Sequence, residues 1–257
     1  MINKMETIEK YPDKPCNWDV ISDSKYITLE IIEKYINKPW NWSKISSNPN
    51  ITIEFIEKYI DKEWNWCLIS SNSAITIDII EKYIDLPWNW YWGVSKNPNL
   101  TIEFIKKYID KKWNWCLISS NSAITIDIIE NNFDLPWKWH HGVSYNPNIT
   151  IEFIEKYMIN KNWDWDVISS NSAITVDNIE NNMDLPWNWY HMSSNPNLTI
   201  EFIEKYIDKS WNWYRMSQKP NLTIDFIKKY IDKPWNWHWI LLNKQVIIDT
   251  KNYNENE

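Results

Sequence analysis

The sequence predicts an all-α solenoid of about ten 24-residue, two-helix repeats, and three observations carry that expectation. Trp-x-Trp recurs with first members Trp40, Trp64, Trp88, Trp113, Trp137, Trp163, Trp187, Trp211 and Trp235, at intervals of 24, 24, 25, 24, 26, 24, 24 and 24 residues. Between successive pairs stands an Asn-Pro-Asn or Asn-Ser-Ala turn, then Thr and an apolar stripe at helical spacing. Helices this short are marginal alone, so the copies must stack and bury one another's apolar faces, the defining property of a solenoid.

The copy NPNITIEFIEKYIDKEWNWCLISS, residues 48–71, presents the elements in order. Asn48 and Asn50, around Pro49, supply turn chemistry. Thr52 occupies an N-cap position, and Ile51 and Ile56 have the spacing of a hydrophobic staple. Ile53, Ile56, Tyr59 and Ile60 give the stripe of a first helix of about nine residues that stops near Asp61. Within it Glu54 precedes Lys58 by four positions, the favourable order for an ion pair. The Lys62-Glu63 that follows becomes Lys-Pro or Leu-Pro elsewhere, as at Pro39, Pro87 and Pro234, which ends the helix. A second element starts near the Trp-x-Trp, spans two turns at most, and fits a short α-helix or a 3₁₀ turn equally well.

Copies alternate between an NPN type, at Asn48, Asn97, Asn146 and Asn195, and an NSA type, at Asn72, Asn121 and Asn171. The alternation breaks where Lys219-Pro220-Asn221 directly follows an NPN copy. The two glycines, Gly93 and Gly142, fall in one-residue insertions after Trp90 and Trp139, where the extra residue demands a bulge that Gly accommodates. A further insertion lies around Met158-Ile159-Asn160. A single repeat array is expected over residues 1–250, with degenerate capping copies at about 5–23 and 243–250 and a disordered polar tail over 251–257.

Composition removes several classes of function. Two distant glycines cannot build a phosphate-cradling loop. A hydrophobic fraction of 44% is enough to bury a core and too high for a disordered chain. No apolar run approaches the roughly 18 residues of a membrane span, and residues 1–10 lack the apolar centre of a signal peptide, so a soluble intracellular protein is expected. Cys16, Cys67 and Cys116, odd in number and widely spaced, suit a reducing compartment, and Cys67 and Cys116 suit the role of small buried hydrophobes. Net charge is −7 and Arg215 is the only arginine, so nucleic acid is not an expected partner.

Catalytic chemistry needs a constellation that breaks the period, and none is visible. Serines recur in register as turn and capping residues. His141 and His191 occupy equivalent positions two repeats apart, too far to share an ion, and the adjacent His140 and His141 would diverge on a helix. No catalytic residue, metal ligand or cofactor site is therefore expected, and the chain reads as a non-enzyme. Trp-x-Trp reads as core, although its first Trp lies in a connecting loop and partial exposure there would open a stacking groove. The two positions after each Trp-x-Trp vary most, and their Trp, Tyr and Arg are residues enriched at binding hot spots. Trp92, His140, His141, Tyr190, His191, Tyr214, Arg215, His238 and Trp239 thus form a candidate interaction surface. The leading expectation is a scaffold for protein–protein interaction, with self-association through the solenoid ends also open. The alternative is an aromatic array for single-stranded nucleic acid or carbohydrate.

The succession of NPNLT, amphipathic helix, Asp, short second element and NPN again is similar to leucine-rich-variant repeats, which alternate α and 3₁₀ helices. It differs in placing Trp-Asn-Trp where that pattern has small aliphatics and Arg. The NPN-[IL]-T opening with the close Lys233-Pro234-Trp235-Asn236-Trp237 resembles still more the tandem NPNIT/WNW repeat proteins of giant DNA viruses of amoebae, over roughly residues 6–250. That resemblance implies an architecture without an assigned activity, in a viral protein acting in the infected host cell, in its cytoplasm, or in the virion.

Overall fold

A computed structural model describes residues 16–243 and Val246, which form 17 α-helices and two 3₁₀ turns, with no strand among the described residues. The start of the N-terminal capping copy, most of the C-terminal one and the 251–257 tail lie outside the described residues. The chain divides into two compact units, one reaching Ile124 and including Asn131–Pro136, the other made of Thr125–Glu130 and Trp137 onward. Both are all-α repeat arrays of the expected solenoid class.

First helices are six residues long in most copies, as in Ile53–Lys58, Ile102–Lys107 and Ile200–Lys205. Each opens on its threonine: Thr52 Oγ1 accepts the Phe55 N–H at 3.3 Å, and Thr101 Oγ1 that of Phe104 at 3.2 Å. The staple residues Ile51 and Ile56 are buried as expected. The helices end sooner than the apolar stripe suggests because the tryptophan that follows caps them. Trp64 Nε1 donates to the Tyr59 carbonyl at 2.8 Å, and Trp40, Trp88, Trp113, Trp211 and Trp235 repeat the bond at 2.8–2.9 Å, satisfying a carbonyl that the helix end leaves free. Ile60 then lies beyond the helix and is 50% exposed rather than part of the stripe. At the Met158-Ile159-Asn160 insertion the helix runs one residue further, Ile151–Tyr157, and the buried Trp163 Nε1 has no hydrogen-bond partner.

Lys58 does not pair within its helix with Glu54. It reaches Glu33 of the preceding copy at 2.7 Å, as Lys156 reaches Glu130 and Lys205 reaches Glu180 at 2.8 Å. Neighbouring first helices lie side by side, which brings the preceding copy's acid closer than the lysine's own. Such exposed pairs contribute little stability and mainly mark the register.

Most second helices open on the central Asn of Trp-x-Trp, whose Oδ1 accepts a backbone N–H, as Asn41 does from Lys44 at 3.0 Å. Most are short α-helices, such as Trp66–Ser71 and Trp213–Met216. The two glycine-bearing copies instead form the 3₁₀ turns Val94–Lys96 and Val143–Tyr145. The inserted residue widens the turn before them, giving five-residue bonds from Val94 N to Asn89 O at 2.8 Å and from Val143 N to Lys138 O at 2.7 Å. Neither glycine has positive φ, so conformational freedom is not why Gly93 is there. A Cβ on Gly93 would strike the Ser70 side chain and sit 2.7 Å from Asn89 O and 2.9 Å from Cys67 O. The glycine provides room for the preceding copy's second helix.

Three ladders join the copies. The buried asparagine that opens each copy donates through Nδ2 to the backbone of the copy before: Asn72 to Asn48 O at 2.9 Å and Asn195 to Asn171 O at 3.1 Å. A buried serine accepts the backbone N–H of the next Trp-x-Trp, as Ser46 Oγ does from Asn65 at 2.9 Å and Ser193 Oγ from Asn212 at 2.8 Å. The second Trp of one copy meets the first Trp of the next edge to face, with centroids 5.0 Å apart for Trp42–Trp64 and 5.2 Å for Trp90–Trp113 and Trp189–Trp211.

Because backbone oxygens bound the space at Gly93, Gly93→Ala is expected to destabilise the protein by about 2 kcal/mol or more. Chemical denaturation checks this; an unchanged midpoint would contradict a tight approach.

Candidate interaction surface

The ladders decide which side chains remain available. All nine first tryptophans are buried, between 5% and 8% exposed, in keeping with the reading of Trp-x-Trp as core and closing the alternative of partial exposure in a loop. Apart from Trp163, whose Nε1 is unpartnered, indole N–H groups such as those of Trp64 and Trp88 face helix-ending carbonyls, and burial of the rings leaves no groove of first tryptophans open to solvent. Several residues after Trp-x-Trp are exposed instead, whereas Cys67-Leu68 and Cys116-Leu117 are half-buried. In the first unit Tyr91 and Trp92 are exposed and pack against each other with centroids 4.9 Å apart.

The second unit carries the other candidates. Tyr190, His191, Tyr214, Arg215, His238 and Trp239 come from three consecutive copies and are all exposed. Successive copies meet here: Trp239 Nε1 donates to the Tyr214 hydroxyl at 3.1 Å. His191 Nε2 lies 3.7 Å from Asp166 Oδ2 of the preceding copy, and Asn188 Nδ2 donates to Asp166 Oδ1 at 2.6 Å. Trp237, the last second tryptophan of the series, is 50% exposed and extends the aromatic surface beside Trp239. Arg215 also borders a shallow cavity of 430 Å³ with Ser194, Pro196, Gln218, Lys219 and Pro220.

His140 and His141 do not diverge. The insertion takes them out of helical geometry into a turn, their Nδ1 atoms lie 3.2 Å apart, and Asp164 Oδ2 lies 3.2 Å from His140 Nδ1. The three form a group of potential metal ligands, contrary to the expectation that no such group exists. Asp164 was legible as the only acid at the centre of a Trp-x-Trp, but that meaning depends on the residue it faces one copy earlier. Cys67 and Cys116 are half-buried free thiols rather than core residues.

Electrostatics are perturbed where copies meet. Hydrogen bonds from Lys44 and Asn41 hold the Asp19 carboxyl below its ordinary range, and the Lys107 ammonium does the same to Glu81. Lys219 stands in the asparagine ladder, buried, with Nζ donating to Asn195 O at 2.8 Å. Burial lowers its pKa from 10.5 to about 8.

No helix among the described residues is long and apolar enough to cross a membrane. No protein-family profile, curated protein or solved structure matches the chain.

Folded Lys219 releases its proton near pH 8, whereas the unfolded chain holds that proton to about 10.5. Over that window the unfolded state binds more protons, so stability is expected to rise with pH, by on the order of 3 kcal/mol in total. Chemical denaturation of the wild type minus that of Lys219→Asn isolates this contribution. A flat or falling difference would contradict the assignment.

Proposed function

We propose that the protein is a non-enzymatic repeat scaffold that recognises a protein partner through the exposed residues following Trp-x-Trp. The observation that supports this reading is a division of labour within the repeat. Constant Asn, Ser and Trp positions are occupied in joining copies, while the exposed pair varies from Tyr91-Trp92 to Tyr190-His191, Tyr214-Arg215 and His238-Trp239. A position that only packed between copies would stay constant with its neighbours. One that reads a partner is free to differ in each copy. Tyr, Trp and Arg offer large contact areas at low entropic cost, and the cavity beside Arg215 offers a recess for a partner side chain. Burial of the first tryptophans removes the observation that would favour a base- or sugar-stacking array. A setting in an infected cell or virion rests on the NPNIT/WNW resemblance alone.

Capture of partners from the native host cell by the wild type, compared with Tyr214→Ala/Arg215→Ala, tests the reading. The double variant should lose capture at least about tenfold and melt nearly as the wild type does, since Arg215 gives the helix cap only its backbone N–H and Tyr214 loses only one exposed hydrogen bond, to Trp239. Undiminished capture, or a large fall in melting temperature, would overturn the assignment.

A further inference from the structure

The group formed by His140, His141 and Asp164 has a geometry that a hydrogen-bonded cluster does not explain. His140 Nδ1 lies 3.2 Å from His141 Nδ1 and 3.2 Å from Asp164 Oδ2, and one ligand atom from each residue lies within 4.8 Å of both others. An imidazole nitrogen has a single in-plane direction for a proton or lone pair, so it makes one good hydrogen bond. Here it faces two neighbours at equal distance. A cation between the three atoms engages them together. For zinc bonds of about 2.0–2.1 Å in tetrahedral arrangement, ligand atoms stand about 3.3 Å apart, close to both observed spacings.

We propose that His140 Nδ1, His141 Nδ1 and Asp164 Oδ2 bind a zinc ion, with the fourth position open to water or to a donor atom brought by a partner. Two imidazoles and one carboxylate suit a borderline metal, whereas calcium and magnesium require sets dominated by oxygen. Nδ1 is the ring nitrogen nearer the backbone, so two adjacent residues can converge through it once the chain leaves the helix. The insertion ending in Gly142 provides that departure, with residues 140–142 in a turn.

The acid is specific to this copy. Seven of the nine Trp-x-Trp centres are Asn, one is Lys138, and Asp164 is the single acid. In other copies that Asn reaches back with its amide to the residue after the preceding Trp-x-Trp: Asn41 to Asp19 at 2.7 Å, Asn65 to Ser43 at 3.3 Å and Asn188 to Asp166 at 2.6 Å. At Asp164 the polarity is reversed, and an anion faces a histidine. The carboxylate is also held in place. Its Oδ1 accepts from Val167 N at 3.2 Å and the Asp164 N–H donates to Ser144 Oγ at 3.0 Å, leaving Oδ2 for the metal. This inference is independent of the scaffold reading.

Calorimetric titration of the full, untagged, chelator-stripped protein with zinc chloride tests it, alongside thermal melting with and without zinc. One zinc per chain and a raised melting temperature are expected. His141→Ala and Asp164→Asn should each weaken binding at least about tenfold, while His191→Ala leaves it unchanged. Asp164→Asn restores the residue of the other copies and keeps the capping oxygen; should it still fail to fold, the exposed His141→Ala decides. Absence of binding, or variants that bind as the wild type does, would overturn the site.

Discussion

The repeat depends on a buried asparagine that makes bonds in two directions. Asn97 accepts the Asn99 N–H at 2.8 Å, closing its own turn, and donates through Nδ2 to Ser70 O and Ile75 O at 2.9 Å and to Asn72 O at 3.4 Å. A chain of six-residue helices leaves many backbone carbonyls at helix ends and in turns, and burying them unpaired would cost about 1–3 kcal/mol each. Asn carries both the acceptor the turn needs and the two hydrogens the preceding copy needs, on a side chain short enough to stay buried. Where Lys219 takes the place, the donor survives, since Nζ still reaches Asn195 O.

Tryptophan and serine complete the same task at other carbonyls and amides. The first Trp of most pairs ends a helix with its indole N–H, as Trp64 does, and meets the second Trp of the previous copy edge to face. Ser46 both donates to Trp42 O at 2.8 Å and accepts from Asn65 N at 2.9 Å, joining two copies through one hydroxyl. With these positions fixed by bonding, chemical variety is greatest in the pair after Trp-x-Trp. The main joining residues and the exposed variable residues thus occupy different positions within each copy.

Much of this was legible in the sequence. Regular Trp-x-Trp spacing, the threonine caps and the Ile51–Ile56 staple specify local elements, and local signals survive folding because each helix is closed by residues within its own copy. The misreadings have one source: they concern the partner one copy away. Lys58 looks toward Glu54 in sequence and bonds Glu33; Gly93 looks like a flexible residue and is one that leaves room for Ser70. The convergence of His140, His141 and Asp164 belongs to the same class, since it needs both an insertion that breaks the helix and a carboxylate from the next copy.

The asparagine ladder is tested most directly by Asn97→Leu, which keeps size and removes both hydrogen-bonding functions. Chemical denaturation should show a loss of about 2–4 kcal/mol, since several buried carbonyls and one turn N–H lose their partner together. A midpoint within about 0.5 kcal/mol of the wild type would contradict the claim that this side chain joins the copies.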